Sequence, residues 1–229
     1  MQTYILGGII RMKLTKIVKA ALGLSLSLII FAGCSAAPAP APAETPAETP
    51  AMMVVDTDKK EIRMETEVNA KYFTEPTRHG VVFKDGSNGE KSVLRGLANQ
   101  LEFHQALVDI GMEPGNNISM EDMKKSVKVE GDQLDVFVTW EGLGKEIPFE
   151  DIIKSSDPRP MDIRFGGNLE SATDKNTGCV LCLDSCAVGI TSNHNYATGE
   201  SENVQFYGNS EVLPEDGTQV TVIFRPHSS

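Results

Sequence analysis

The sequence predicts an α+β domain, a mostly antiparallel sheet packed against one main helix, standing as a single unit behind a leader and a Pro/Ala-rich linker. Three observations carry that reading. Short apolar–polar alternations recur along the chain; in residues 62–68, Ile62, Met64 and Thr66 alternate with Arg63, Glu65 and Glu67. One stretch, beginning at Asn99, has a strong helical signature. Strands and helices do not follow one another in the regular βαβ order of a doubly wound parallel sheet.

The first 33 residues read as a bacterial lipoprotein leader. Lys13, Lys16 and Lys19 form a positive n-region, residues 20–31 an apolar core, and Ala32-Gly33 the small residues before Cys34. That core is shorter than the ~20 residues a relaxed membrane-spanning helix needs. Phe31 stands where leucine is commonest in such signals. Residues 1–10 are apolar and precede the charges, so Met12 is the expected start. Cleavage before Cys34 would make it the lipid-bearing first residue and place the rest outside the cytoplasm, anchored to the bacterial cell membrane.

Residues 34–51 hold that cysteine and a linker with five prolines and two Glu-Thr-Pro units. Such a segment buries no core and runs as a polyproline-like spacer, reaching about 50 Å at ~3.1 Å per residue. Residues 52–229 are the expected globular domain, long enough for a sizeable core. The whole chain carries a formal charge of −11; loss of Arg11 and the three leader lysines, with no acid, takes it to −15. A surface that acidic argues against nucleic acid and against electrostatic docking on anionic headgroups. The membrane is therefore expected as a partner only through the lipid on Cys34.

Within the domain, residues 53–56 and 62–68 read as two strands joined by the charged turn Thr57-Asp-Lys-Lys60, and residues 79–83 as a third. Asp85-Gly-Ser-Asn-Gly89 is a turn, because glycine and asparagine accept positive φ. Asn99 and Glu102 have capping-box spacing, with Leu101, His104 and Val108 on one helical stripe, widened by Phe103, Leu107 and Ile110. Gly111 and Pro114 end that helix. Residues 134–140 alternate as a central antiparallel strand. Residues 149–154 read as a short helix, 161–165 as a strand running into the bend Gly166-Gly167, and 219–224 as the last strand, after the turn Pro214-Glu-Asp-Gly217.

Four of these stretches resemble a known family. His104-Gln-Ala-Leu107, Gly111-Met-Glu-Pro-Gly115, Asp135-Val-Phe-Val-Thr-Trp140 and Gly217-Thr-Gln-Val-Thr-Val-Ile-Phe224 are similar to the helix, exit turn and strands of the YdjY-domain lipoproteins. The resemblance spans residues 54–226. It implies a domain of that family, and the ferredoxin-like label attached to some members does not by itself imply a cluster. The cysteine loop lies outside the motifs that carry it.

That loop, Gly178-Cys-Val-Leu-Cys-Leu-Asp-Ser-Cys-Ala-Val-Gly189, spaces Cys179, Cys182 and Cys186 as C-x2-C-x3-C. On a helix, or in a tight loop, the three thiols would meet. Structural zinc and iron–sulfur sites usually take four protein ligands, so a fourth is needed: His194 first, then Asp184 or His104. Zinc or copper is favoured over an iron–sulfur cluster. Bacterial ferredoxins carry C-x2-C-x2-C-x3-C-P, one cysteine more, with proline where Ala187 stands; the leader also lacks a twin arginine, so the chain crosses the membrane before a cluster is inserted. Without metal, a disulfide is expected, Cys179 to Cys186, leaving Cys182 over. No C-x-x-C-H haem site, G-x-S-x-G, H-E-x-x-H or kinase set occurs.

The sequence thus points first to a binding or accessory lipoprotein whose loop holds a metal or a redox-active thiol set, and leaves open whether it is an enzyme. The alternatives are a thiol-dependent extracytoplasmic enzyme or thiol–disulfide exchanger, and a structural envelope protein with a stapled loop. A fatty-acid probe fed to cells should label the wild-type chain and leave Cys34→Ala unlabelled; equal labelling of both would remove the anchor from this reading.

Overall fold

The computed structural model describes residues 51–228. Residues 1–33, Cys34 and the linker as far as residue 50 lie outside them. The described chain is mostly β: twelve strands with two short helices. In order these are β1 (Met53–Asp56), β2 (Glu61–Val68), β3 (His79–Phe83), β4 (Ser92–Gly96), α1 (Gln100–Asp109), β5 (Gln133–Thr139), β6 (Ile147–Pro148), β7 (Ile153–Ser155), β8 (Ile163–Phe165), α2 (Leu169–Lys175), β9 (Cys179–Cys182), β10 (Thr191–Asn193), β11 (Phe206–Gly208) and β12 (Gln219–Pro226).

Eight strands follow one another as β2-β12-β5-β8-β10-β9-β3-β4, and β4 pairs back onto β2. The sheet is therefore a closed barrel, which corrects the expectation of an α+β sheet packed on one main helix. The closure depends on the length of β2. Eight residues at about 3.3 Å each give β2 room for two neighbours along one edge: β1 pairs with residues 61–64 and β4 with residues 66–68. Two joints, β3–β4 and β9–β10, are parallel, and the other six are antiparallel.

The strands that close the ring carry no legible pattern. β4, β9 and β10 are buried almost throughout, and a strand covered on both faces shows no period-two alternation. β2 and β5, by contrast, alternate strictly between buried and half-buried residues and are readable for that reason. Residues 149–154 are a 3-10 turn (Phe149–Ile152) running into β7, not a helix. β7 pairs only with β11, in a separate two-stranded sheet. After Gly167, the expected bend continues into α2 through Asn168, which has φ 45°.

Helix α1 starts after Asn99 and ends at Gly111 as expected, though the capping box with Glu102 is replaced by a single cap bond. The Asn99 side chain accepts from the Leu101 N–H at 2.7 Å. At the other end Gly111, at φ +88°, donates to the Val108 carbonyl and Met112 to that of Leu107, the paired bonds of a Schellman ending. The buried face is Phe103, His104, Ala106, Leu107 and Ile110. The expected stripe of Leu101, His104 and Val108 is displaced by about one position, since Val108 is 41% exposed. Phe103 packs on Phe224 of β12 with ring centroids 4.6 Å apart, and His104 meets Phe165 of β8 edge-on at 5.0 Å.

Leu107→Ala should cost about 2–5 kcal/mol in urea unfolding, as for a fully buried leucine whose site collapses incompletely. Val108→Ala should cost less than about 0.5 kcal/mol. Equal costs would place the buried face of α1 wrongly.

Candidate metal centre

In a regular strand, side chains three positions apart point to opposite faces. Cys179 and Cys182 lie three apart on β9, and His79 and Val82 three apart on β3. Both pairs nevertheless share a side, because the β3–β9 ladder shifts register twice. Val82 faces Cys179 while Val81 faces Leu181, so Val180 is an extra residue on β9. His79 then faces Cys182, which makes Gly80 the extra residue on β3. Each insertion turns an odd spacing into an even one. Val81, Val180 and Leu181 accordingly join the main core, while Val82, Cys179, Cys182 and Cys186 form a separate buried cluster with Val188 against it.

The close packing around Gly80 favours glycine there. A Cβ there would lie 2.8 Å from the Leu181 Cδ2 and 3.1 Å from the Phe149 ring. A glycine is also needed where the loop between β9 and β10 returns. A Cβ on Gly189 would lie 2.9 Å from the Cys182 sulfur and 2.8 Å from the Ser192 Oγ. The loop lies almost wholly inside the protein, so its backbone groups must find partners there. Leu183 donates to the Arg78 carbonyl at 2.9 Å, Ser185 to that of Tyr196 at 2.8 Å and Ile190 to that of Cys179 at 3.1 Å. The Asn168 amide donates to the Cys186 carbonyl at 3.1 Å.

The outcome is a compact ligand set. A ring nitrogen of His79 and the sulfurs of Cys179 and Cys182 all lie within 4.8 Å of one another, and Nδ1 stands 3.7 Å from the Cys179 Sγ. The three cysteines are free, buried thiols, and His79 is half-buried. The Cys182 sulfur interacts with both Cys179 and Cys186. Cys182 first, with His79 and Thr177 beside the sulfur, holds the Cys179 thiol well below its usual range despite burial. The Cys186 thiol is lowered by Cys182 and by the nearby Arg78 guanidinium, again against burial. Cys182 itself, between two partners and fully enclosed, is pushed up.

Polar groups surround the sulfurs. The Asn88 amide points at the Cys179 Sγ from 4.0 Å. The hydroxyls of Thr177 and Ser192 are buried without a hydrogen-bond partner; Thr177 stands beside Cys179, and Ser192 lies opposite Cys182 in the β9–β10 register. Donors so placed favour sulfur as thiolate, the form that ligates metal. On the Cys186 side, Arg78 donates through Nε and Nη2 to Asp184 Oδ1 at 2.9 and 2.7 Å. Burial raises the Asp184 carboxyl and Arg78 opposes it. Burial also works against the Arg78 charge, but Cys186 and Asp184 keep it and push its pKa further up.

Of the ligands expected from sequence, the structure brings Cys179 and Cys182 together with an imidazole and leaves Cys186 just beyond, against Cys182. The imidazole is His79. His194 donates from Nδ1 to the Val129 carbonyl at 2.7 Å. Asp184 is engaged by Arg78, and His104 stacks on Phe165. The expected Cys179–Cys186 bridge has Cys182 between its ends. His79 and Arg78 were missed because the sequence marks them only as the approach to a strand, a hundred residues before Cys179. The register that joins them contains two insertions no periodicity reveals.

The comparisons with known proteins agree on one family. The model of the YdjY domain matches residues 53–225. The chain is similar to Uncharacterized protein YdjY of Escherichia coli (strain K12), with 45% identity over 174 residues, 75% of this chain and 77% of that protein. No solved structure matches it. On the family match and on that identity, the chain belongs to the YdjY domain family.

Proposed function

We propose that this chain is a lipid-anchored extracytoplasmic binding protein that carries a thiophilic metal ion on His79, Cys179 and Cys182. The observation that carries the reading is the convergence of those three ligand atoms within 4.8 Å, on one side of two bulged strands. Two sulfurs and an imidazole suit zinc or copper, whereas magnesium and calcium want oxygen. Bound, the ion would make a charged thiolate pair acceptable in a buried place. The donors around the sulfurs would orient and stabilise them. An iron–sulfur cluster usually takes four cysteine ligands, and three lie among the described residues.

Burial weighs against the thiol-enzyme reading. A nucleophilic cysteine must present its sulfur to substrate, and Cys179 and Cys182 are 0% exposed. The anchor rests on Cys34 and the leader that precedes it. An exported chain that folds outside the cytoplasm can take up zinc or copper there.

Metal content of the full-length protein, freshly reduced and reconstituted, tests the reading. About one ion per chain is expected in the wild type, with His79→Ala and Cys182→Ser losing most of it through loss of a ligand. His194→Ala should retain it. Occupancy should fall as pH is lowered from about 7 to 5, because thiols and imidazole must lose protons to bind metal and acid returns them. No ion in the reduced wild type, or dependence on His194 but not on His79, would overturn the site.

A further inference from the structure

We infer that the turn after β3 completes the metal centre: Asn88, oriented by Lys91, is a positioning residue that holds the Cys179 sulfur in its metal-binding form. This rests on the metal site proposed above and concerns what holds one of its ligands.

The turn is seated against the approach to Cys179. From their backbones Ser87 donates to the Asn176 carbonyl at 3.0 Å, Asn88 to that of Thr177 at 3.1 Å and Phe83 to that of Gly178 at 2.7 Å. Asn88 stands immediately before the 3-10 turn Gly89–Lys91. At such a position an asparagine side chain ordinarily accepts from the backbone of the turn that follows. It makes no such bond here. The side chain is turned inward instead, with its amide nitrogen 4.0 Å from the Cys179 Sγ.

Chemistry fixes which end of the amide faces sulfur. Lys91 Nζ donates to Asn88 Oδ1 at 2.8 Å, and an ammonium has hydrogens to give and no lone pair to offer. The atom it meets must be the carbonyl oxygen, which leaves the NH2 group facing Cys179. An amide N–H can only donate, and thiolate is the form of sulfur that accepts best. The Lys91 charge, drawing on the carbonyl, strengthens that donor. Lys91 is exposed, Asn88 half-buried and Cys179 fully buried, so this chain of three runs from the surface to the ligand.

A second buried donor lies at the same junction. The hydroxyl of Thr177, two residues before Cys179, has no hydrogen-bond partner, and the Asn88 backbone holds that residue's carbonyl. The turn therefore brings one donor to the sulfur and fixes the residue that bears the other. Removing the Asn88 amide leaves His79, Cys179 and Cys182 in place, so binding weakens without the loss of a ligand.

The test uses Cd(II), a thiophilic ion without redox chemistry, titrated into the reduced full-length chain with the thiolate-to-cadmium charge-transfer band as signal. Asn88→Asp is the decisive variant, because it keeps the acceptor for Lys91 and the shape of the turn while replacing the donor by a second acceptor. It should bind Cd(II) about tenfold or more weakly than wild type. Its band should move to longer wavelength, since a sulfur without its donor gives up electron density more easily. Asn88→Ala, checked by its unfolding curve, should do the same. Lys91→Met should weaken binding in the wild-type background and change nothing further in Asn88→Ala, the non-additivity of residues that act through one contact. Wild-type affinity and band position in Asn88→Asp would overturn the role of Asn88. An equal effect of Lys91→Met in both backgrounds would overturn that of Lys91. Failure of the wild type to bind Cd(II) would instead defeat the metal site itself, and this inference with it.

Discussion

Two inserted residues, Val180 and Gly80, are the constraint on which the site depends. Without them the thiols of Cys179 and Cys182 would point to opposite sides of the barrel wall, one into the main core and one away from it. With them, His79, Cys179 and Cys182 gather on one side while Val81 and Leu181 still fill the core. The insertions lie on opposite strands of the same ladder, so the register lost at one is recovered at the other. The barrel therefore closes despite an irregularity in its wall. Bulges of this kind re-aim side chains, and here they re-aim ligands.

The loop that covers the cluster is held by the same ladder. Leu183 bonds to the backbone of Arg78, one residue before His79, and Arg78 in turn binds Asp184 inside the loop. A buried ion pair is poor evidence for stability by itself, since desolvation costs can exceed the attraction. Its position says more. It fixes the loop that carries Cys186 and sets the Arg78 guanidinium beside that thiol. The unpartnered hydroxyls of Thr177 and Ser192 fit this arrangement. A buried hydroxyl left without a partner is costly, and a neighbouring thiolate would supply one.

How much of this the sequence disclosed follows from which residues are covered on one face and which on two. Strand 53–56, strand 79–83, the helix from Asn99 to Gly111 and the strand around residues 134–139 each announce themselves by alternation, a cap or a turn. The barrel was hidden. Its closing strands β4, β9 and β10 are buried almost throughout and do not alternate, and the pairing of β4 with β2 is a fact of tertiary structure. Cys179, Cys182 and Cys186 were legible as a cluster by spacing. His79 was not, because nothing local distinguishes it from any histidine that opens a strand, and His194 was the nearer choice along the chain but not in space. The family, by contrast, was legible from four short structural motifs.

The most direct measurement of the central claim is X-ray absorption spectroscopy at the metal edge on the reduced, metal-loaded, full-length protein. Two sulfurs and one imidazole nitrogen in the first shell, with the imidazole scattering absent from His79→Ala, are the expected result. A shell of nitrogen and oxygen alone, or imidazole scattering that survives in His79→Ala and disappears in His194→Ala, would contradict it.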